Sequence, residues 1–268
     1  MKRVAVFLVI AGLTSMFASG QRKETRAVSG FTGIDASSVF NITVSKGNTE
    51  SLIIEADNEV MQYVRSEVRN GVLRLYLEKD AEKKVKNIKT LNASVVMKNL
   101  EKVSLSGVSK LTANDLFTPD SFNSDCSGVS NMTINVNTGQ LKIDVSGASK
   151  IQVNANVTGD VWFDASGTSK LQGKLNANDV TLDSSGASSV DLTGSAKDIK
   201  IDTSGTSKIK AEGFTVKTAV VNSSGTSNVT IHVTDALNVN ASGVSSVNYK
   251  GSPAITFNTS RTSQVKKI

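Results

Sequence analysis

The chain has 268 residues, of which 38% are hydrophobic and only 5% aromatic, with a formal charge of +6. A globular enzyme core uses more aromatic side chains than this. The single histidine, His232, excludes metal sites built on several histidines, and the single cysteine, Cys126, excludes an internal disulfide. Without the two charges of Lys2 and Arg3 the excess falls to +4, and the repeats of the C-terminal part hold no Arg before Arg261, so no nucleic-acid partner is expected.

Residues 1–20 read as a secretory signal peptide. Lys2 and Arg3 precede an apolar run from Val4 to Leu13, and the small residues Ala18-Ser19-Gly20 place cleavage before Gln21. The apolar run is too short to span a bilayer, so no transmembrane segment is expected in the mature chain. No Cys adjoins the cleavage site to take a lipid anchor.

Residues 21–100 form a β-rich segment without internal period. Phe40 to Val44 and Leu52 to Ala56 read as strands. Val60, Met61, Val64 and Val68 stand at helical spacing behind Asp57 or Asn58 as cap, which predicts a short helix over 58–68. Asn70-Gly71 predicts a turn before the alternating strand 72–77, and Ala93 to Met97 leads into the repeats. Lys79 to Lys89, with Lys83, Lys84 and Lys86, reads as a solvated loop rather than a membrane patch. The whole segment is expected to cap the raw edge of the repeat array.

From residue 101 to 268 one phrase, Ser-Gly-x-Ser, recurs nine times. Its glycines are Gly107, Gly128, Gly147, Gly167, Gly186, Gly205, Gly225 and Gly243, with Arg261 in the ninth place. The steps of 18 to 21 residues mark a solenoid. Ser stands directly before the glycine and two after it in every repeat. Apolar residues stand four before in eight of the nine, as in Val103, Ile143, Phe163 and Phe257, with Ser124 the exception, and four after in all, as in Leu111, Ile151 and Val265. Alternation with polar neighbours gives each coil a strand, a Ser-Gly corner and a second strand. The expected fold is therefore all-β, a single-stranded right-handed parallel β-helix. Coils about 4.8 Å apart stack like side chains into ladders. The serine ladders read as self-satisfying corner hydroxyls rather than nucleophiles, since nine equivalent serines with no neighbouring base do not describe one activated residue. Cys126, two before a glycine, reads as a small buried thiol.

Three before each glycine lies an outward column that includes Asp125, Asp144, Asp164, Asp183 and Asp202 and continues as Asn222, Asn240 and Asn258. Two readings fit it. In one, the carboxylates form a solvated stack compensated by flanking lysines such as Lys142, Lys150, Lys170, Lys200 and Lys208. In the other, adjacent pairs are Ca²⁺ sites, with Ser and carbonyl oxygens completing the shell. Trp162 stands in an outward column otherwise filled mostly by Lys, Thr and Asn, and with Lys150, Lys170 and Lys208 marks a candidate binding surface.

Phe31-Thr32-Gly33-Ile34 followed by Asn41-Ile42-Thr43-Val44 resembles the opening motif of the GIN-domain adhesin family, named for Gly, Ile and Asn, here Gly33, Ile34 and Asn41. The acidic strand, short helix, Asn-Gly-Val-Leu and Ser-Gly-x-Ser repeats are similar to the same family. The resemblance implies a β-helical, exported cell-envelope protein of a Gram-negative bacterium, periplasmic or at the cell surface, with no catalytic residues. The residues leave two functions open. One is a non-catalytic adhesin, binding or scaffold module that meets glycan, cell wall or a surface protein. The other is a polysaccharide lyase or hydrolase using the Asp ladder. No cofactor is expected beyond the Ca²⁺ reading, and the oligomeric state does not follow from the residues.

Overall fold

The computed structural model describes residues 20–85 and 87–268, without the side chains of Glu82 and Lys83. The proposed signal peptide, Lys86 and the Lys83 side chain thus lie outside the described residues, Gly20 excepted. No described helix is long and apolar enough to cross a membrane.

The first part of the chain is β1 (Gln21–Arg26), β2 (Gly33–Ala36), β3 (Asn41–Lys46), β4 (Ser51–Asp57), α1 (Asn58–Met61), β5 (Val64–Arg69), β6 (Val72–Leu77), α2 (Ala81–Lys84) and β7 (Leu91–Met97). The repeats are built from β8 (Lys102–Leu105), β9 (Lys110–Phe117), β10 (Ser121–Cys126), β11 (Asn131–Thr138), β12 (Gln140–Val145), β13 (Lys150–Val157), β14 (Asp160–Ala165), β15 (Lys170–Asn176) and β16 (Asp179–Ser184). In β17 (Ser189–Thr203), β18 (Lys208–Ser223) and β19 (Asn228–Ala241) the strand continues through the return turn. β20 (Ser246–Lys250), β21 (Ala254–Thr259) and β22 (Gln264–Lys267) complete the chain.

Each repeat is one coil of a parallel β-solenoid. Strands entering the corner stack as β8, β10, β12, β14 and β16, then the second halves of β17, β18 and β19, then β21. Strands leaving it stack as β9, β11, β13 and β15, then the first halves of β17, β18 and β19, then β20 and β22. Both apolar columns point inward. Ile143, Leu182, Ile201, Leu111, Ile151 and Ile209 are fully buried in one continuous core. The exceptions sit in the last described coil, where Phe257 is 56% exposed with no described rung stacked on it.

The corner demands glycine for two reasons. The eight glycines have φ between 66° and 71°, and a Cβ on each would stand within 2.7 Å of a carbonyl oxygen in the preceding rung. The serine two residues on closes the same corner. Its hydroxyl donates to the carbonyl of the serine before the glycine, as in Ser130 Oγ to Ser127 O at 2.7 Å and Ser227 Oγ to Ser224 O at 2.8 Å. Contacts between rungs, such as Ser188 Oγ to Ser207 Oγ at 3.3 Å, are secondary. The hydroxyl ladder is thus mainly a set of intracoil caps.

The β-rich segment is part of the stack. β2 pairs in parallel with β8, and β3 with β9, so residues 33–46 form a complete rung with Ser38 in the glycine place. On their other side β2 pairs with β6 and β3 with β7, a further rung in which residues 78–90, including α2, replace the corner. That substitution explains Ser38. It keeps φ at 81°, but no Ser-Gly corner lies behind it. The ends of this region turn antiparallel, β5 on β6 and β4 on β7, with β1 outermost on β4.

The helix expected over 58–68 is confined to Asn58–Met61, and Val64 and Val68 belong to β5. Asp57 does not cap it through its side chain; its carboxylate instead accepts from the Lys89 and Thr90 amides at 2.7 and 3.1 Å. Asn70 and Gly71, with φ of 51° and 75°, make the hairpin turn that returns β5 as β6.

Candidate functional site

Outward side chains of this fold are ordered by the register of the core. Asp125, Asp144, Asp164, Asp183 and Asp202 face one another along five successive rungs, then Asn222, Asn240 and Asn258. A groove of about 750 Å³ runs beside the corner from Asp164 to Ser260. Its walls are this acid and amide column, the serines that precede each glycine, and between them Ser184, Thr203, Ser223, Ala241 and Thr259.

Charge along the column is uneven. Lys142 meets Asp144 at 3.3 Å and Lys200 meets Asp202 at 2.6 Å. Asp164 lies between without a lysine of its own. Partial burial, then the charges of Asp144 and Asp183, push its carboxyl above the usual range against a weaker pull from Lys142. Burial also pushes Asp202 upward. Bonds from Lys200 and from Asn222, at 2.6 Å, with the Lys200 charge, outweigh it and hold the group below its ordinary value. Asn240 donates to Asn222 at 2.9 Å, so the amide half continues the ladder by hydrogen bonds rather than ion pairs. Among the described residues no three His, Cys, Asp or Glu side chains converge as metal ligands.

The remaining candidates are dispersed. Trp162, 38% exposed, lies between Lys142 and Thr181 in the same outward face as Asp164 but outside the groove lining. Lys150 and Lys170 are rung neighbours on the strands leaving the corner, with Ser189 between Lys170 and Lys208. Tryptophan and lysines therefore occupy different strand stacks, entering and leaving the corner. His232 Nδ1 lies 3.2 Å from Thr215 Oγ1 on the leaving strands, away from the carboxylates. The motif residues are architectural. Gly33 sits where a Cβ would press on Val72 and Lys102, Ile34 is fully buried, and Asn41 donates to Asn92 at 3.3 Å on the rung behind.

A second ladder escaped the reading by glycine-proximal columns. Asn156 donates to Asn137 and Asn176 to Asn156, both at 3.0 Å, and Ser195 donates to Asn176 at 3.1 Å. These residues stand nine after their glycines, so the signal was present in the period. With Asn154, Lys174 and Leu116 the three asparagines line a groove of about 500 Å³ on the strands leaving the corner.

Fold and surface together define a parallel β-solenoid whose exterior carries hydrogen-bonded polar ladders. The chain belongs to the family described as "Putative auto-transporter adhesin, head GIN domain", whose model matches residues 30–174 and 158–253. No curated protein matches the sequence. Among solved structures it is similar to a putative adhesin from Parabacteroides distasonis, with 20% identity and TM-score 0.74 over 94% of this chain and 98% of that one. A putative adhesin from Parabacteroides merdae shares 18% identity and TM-score 0.73 over 94% and 97%. A protein of Parabacteroides distasonis described as a putative lipid binding protein shares 15% identity and TM-score 0.67 over 94% and 98%. At these identities the likeness is one of fold.

Proposed function

We propose that the protein is an exported, non-catalytic binding module of the bacterial cell envelope, with the corner groove as its contact surface for a glycan or cell-wall polymer. The groove supports this reading. It offers carboxylate, amide and hydroxyl groups once per rung, about 4.8 Å apart, to a repeating polymer laid along the axis. Each contact is weak, and several in register add through effective concentration. The adhesin description of the family points the same way. The predicted signal peptide and the family carry the export and envelope assignments, and a surface protein is the other class of partner. For the lipid reading of one relative, the groove lining is a poor match, being hydroxyl, amide and carboxylate.

The test is a glycan and cell-wall polymer array probed with the purified protein, followed by calorimetry on any hit. Binding that weakens on Asn222→Leu is expected, and an empty array removes the proposal. Cleavage of any polysaccharide, lost in Asp144→Asn and Asp164→Asn, would replace it with the enzymatic alternative.

A further inference from the structure

The two ends of the stack are finished differently. At one end the outermost strands are β1 and β5, antiparallel to their neighbours and rich in charge, with Arg22, Lys23, Glu24 and Arg26 on β1. That is how sheets protect a free edge. At the other end, among the described residues, β21 pairs only with β19, and β22 only with β20, leaving two parallel edges open. The inward columns stay apolar there except at Lys267, which takes the place of the Tyr249 of the rung before it. Phe257 is 56% exposed, while Val239 one rung inside is fully buried. Ile255 and Val265 are partly exposed, above Leu237 and Val247 at 1% and 0%.

We propose that this end docks on the same end of a second copy, through a two-fold axis passing by the corner at Arg261. The inward columns lie at equal offsets on either side of the corner, two, four and six residues away. A two-fold rotation therefore lays β21 of one copy antiparallel to β22 of its partner with inward faces matched. Phe257 then stacks on the Val265 position, Thr259 on Ser263 and Asn258 on Gln264. Charge selects this arrangement over head-to-tail stacking. Head-to-tail contact would set Lys266 and Lys267 against β1, where Arg22, Lys23 and Arg26 outnumber Glu24. The two-fold contact sets Lys266 opposite Thr256 and Lys267 opposite Ile255. Its one like-charge meeting is Arg261 with itself, at an exposed corner where salt screens it. An isologous contact also closes, giving a dimer rather than a fibre.

Sedimentation of the purified protein tests this. The expected mass is twice that of the chain, falling to one chain in Phe257→Asp and in Val265→Asp, with association strengthening as salt rises. Both side chains are at the open end, so melting temperature is the control for folding. Arg261→Cys is expected to oxidise to a disulfide-linked dimer, since only a two-fold contact brings this residue to itself. A wild-type monomer, a ladder of larger assemblies, a dimer indifferent to Phe257→Asp, or one that Arg261→Cys fails to cross-link would each overturn the proposal.

Discussion

The carbonyl oxygen of Gly128 lies 2.5 Å from where a Cβ on Gly147 would stand. No side chain can shift to relieve that contact, because the obstacle is the backbone of the preceding rung, and φ at Gly147 is 66°. Gly147→Ala is expected to destabilise the fold by about 2–3 kcal/mol, from the strained φ and the displaced corner together. Ser38 holds the same conformation without the obstacle, so Ser38→Gly is expected to stabilise by roughly 0.5–1 kcal/mol. Thermal unfolding of the two variants should move in opposite directions.

Buried hydroxyls in this protein are not equivalent. Ser227 Oγ donates to Ser224 O at 2.8 Å, whereas Thr203 Oγ1 is buried without a partner. Ser227→Ala is expected to cost about 1 kcal/mol, while Thr203→Val, which keeps the shape and removes the orphan oxygen, should be neutral or stabilising. Denaturant midpoints at constant slope report both.

Asp164 and Asp202 should respond to pH with opposite sign. The Asp164 carboxyl titrates above its unfolded value, so its contribution to stability is fully present below the unfolded pKa and is lost as pH rises through the folded one. Asp164→Asn should therefore raise the melting temperature at neutral pH, with the gain vanishing in acid. Removing its charge relieves two like-charge neighbours at about 0.8 kcal/mol each in water before salt screening. Asp202 titrates below its unfolded value, so it stabilises above the unfolded pKa and loses that contribution as pH falls through the folded one. Asp202→Asn should lower the melting temperature at neutral pH, by an amount near the roughly 0.2–1 kcal/mol of an exposed ion pair.

Cys126 is fully buried, and desolvation followed by the nearby Asp125 charge pushes its thiol up to about 12. It should resist alkylation by iodoacetamide at mildly alkaline pH in the folded protein and react fully in denaturant, as mass spectrometry would show. Labelling of the native protein would contradict its placement in the core.

The period made the ladders readable in advance, because a repeat of near-constant length leaves only one register that buries every apolar column. Asp144 facing Asp164 follows from that alone. The rung at residues 33–46 was not legible in this way. Its corner carries Ser38 instead of glycine, and its partners β6 to β9 are separated from it by a hairpin and two short helices. A single coil with no successor in sequence has no period to display. The helix expected at 58–68 failed for a related reason. Val64 and Val68 meet helical spacing and strand alternation equally, and antiparallel pairing with β6 decided for the strand. The exposure of Phe257 depends on what lies beyond a rung, which no column of residues records.

The rung formed by β2 and β3 is made first and completed late. Along the chain β2 has no parallel partner until β6 and then β8, and β3 none until β7 and then β9. Every later coil pairs with the coil that precedes it in sequence. The start of the array thus closes over long separations in sequence, whereas each later coil closes over a single period.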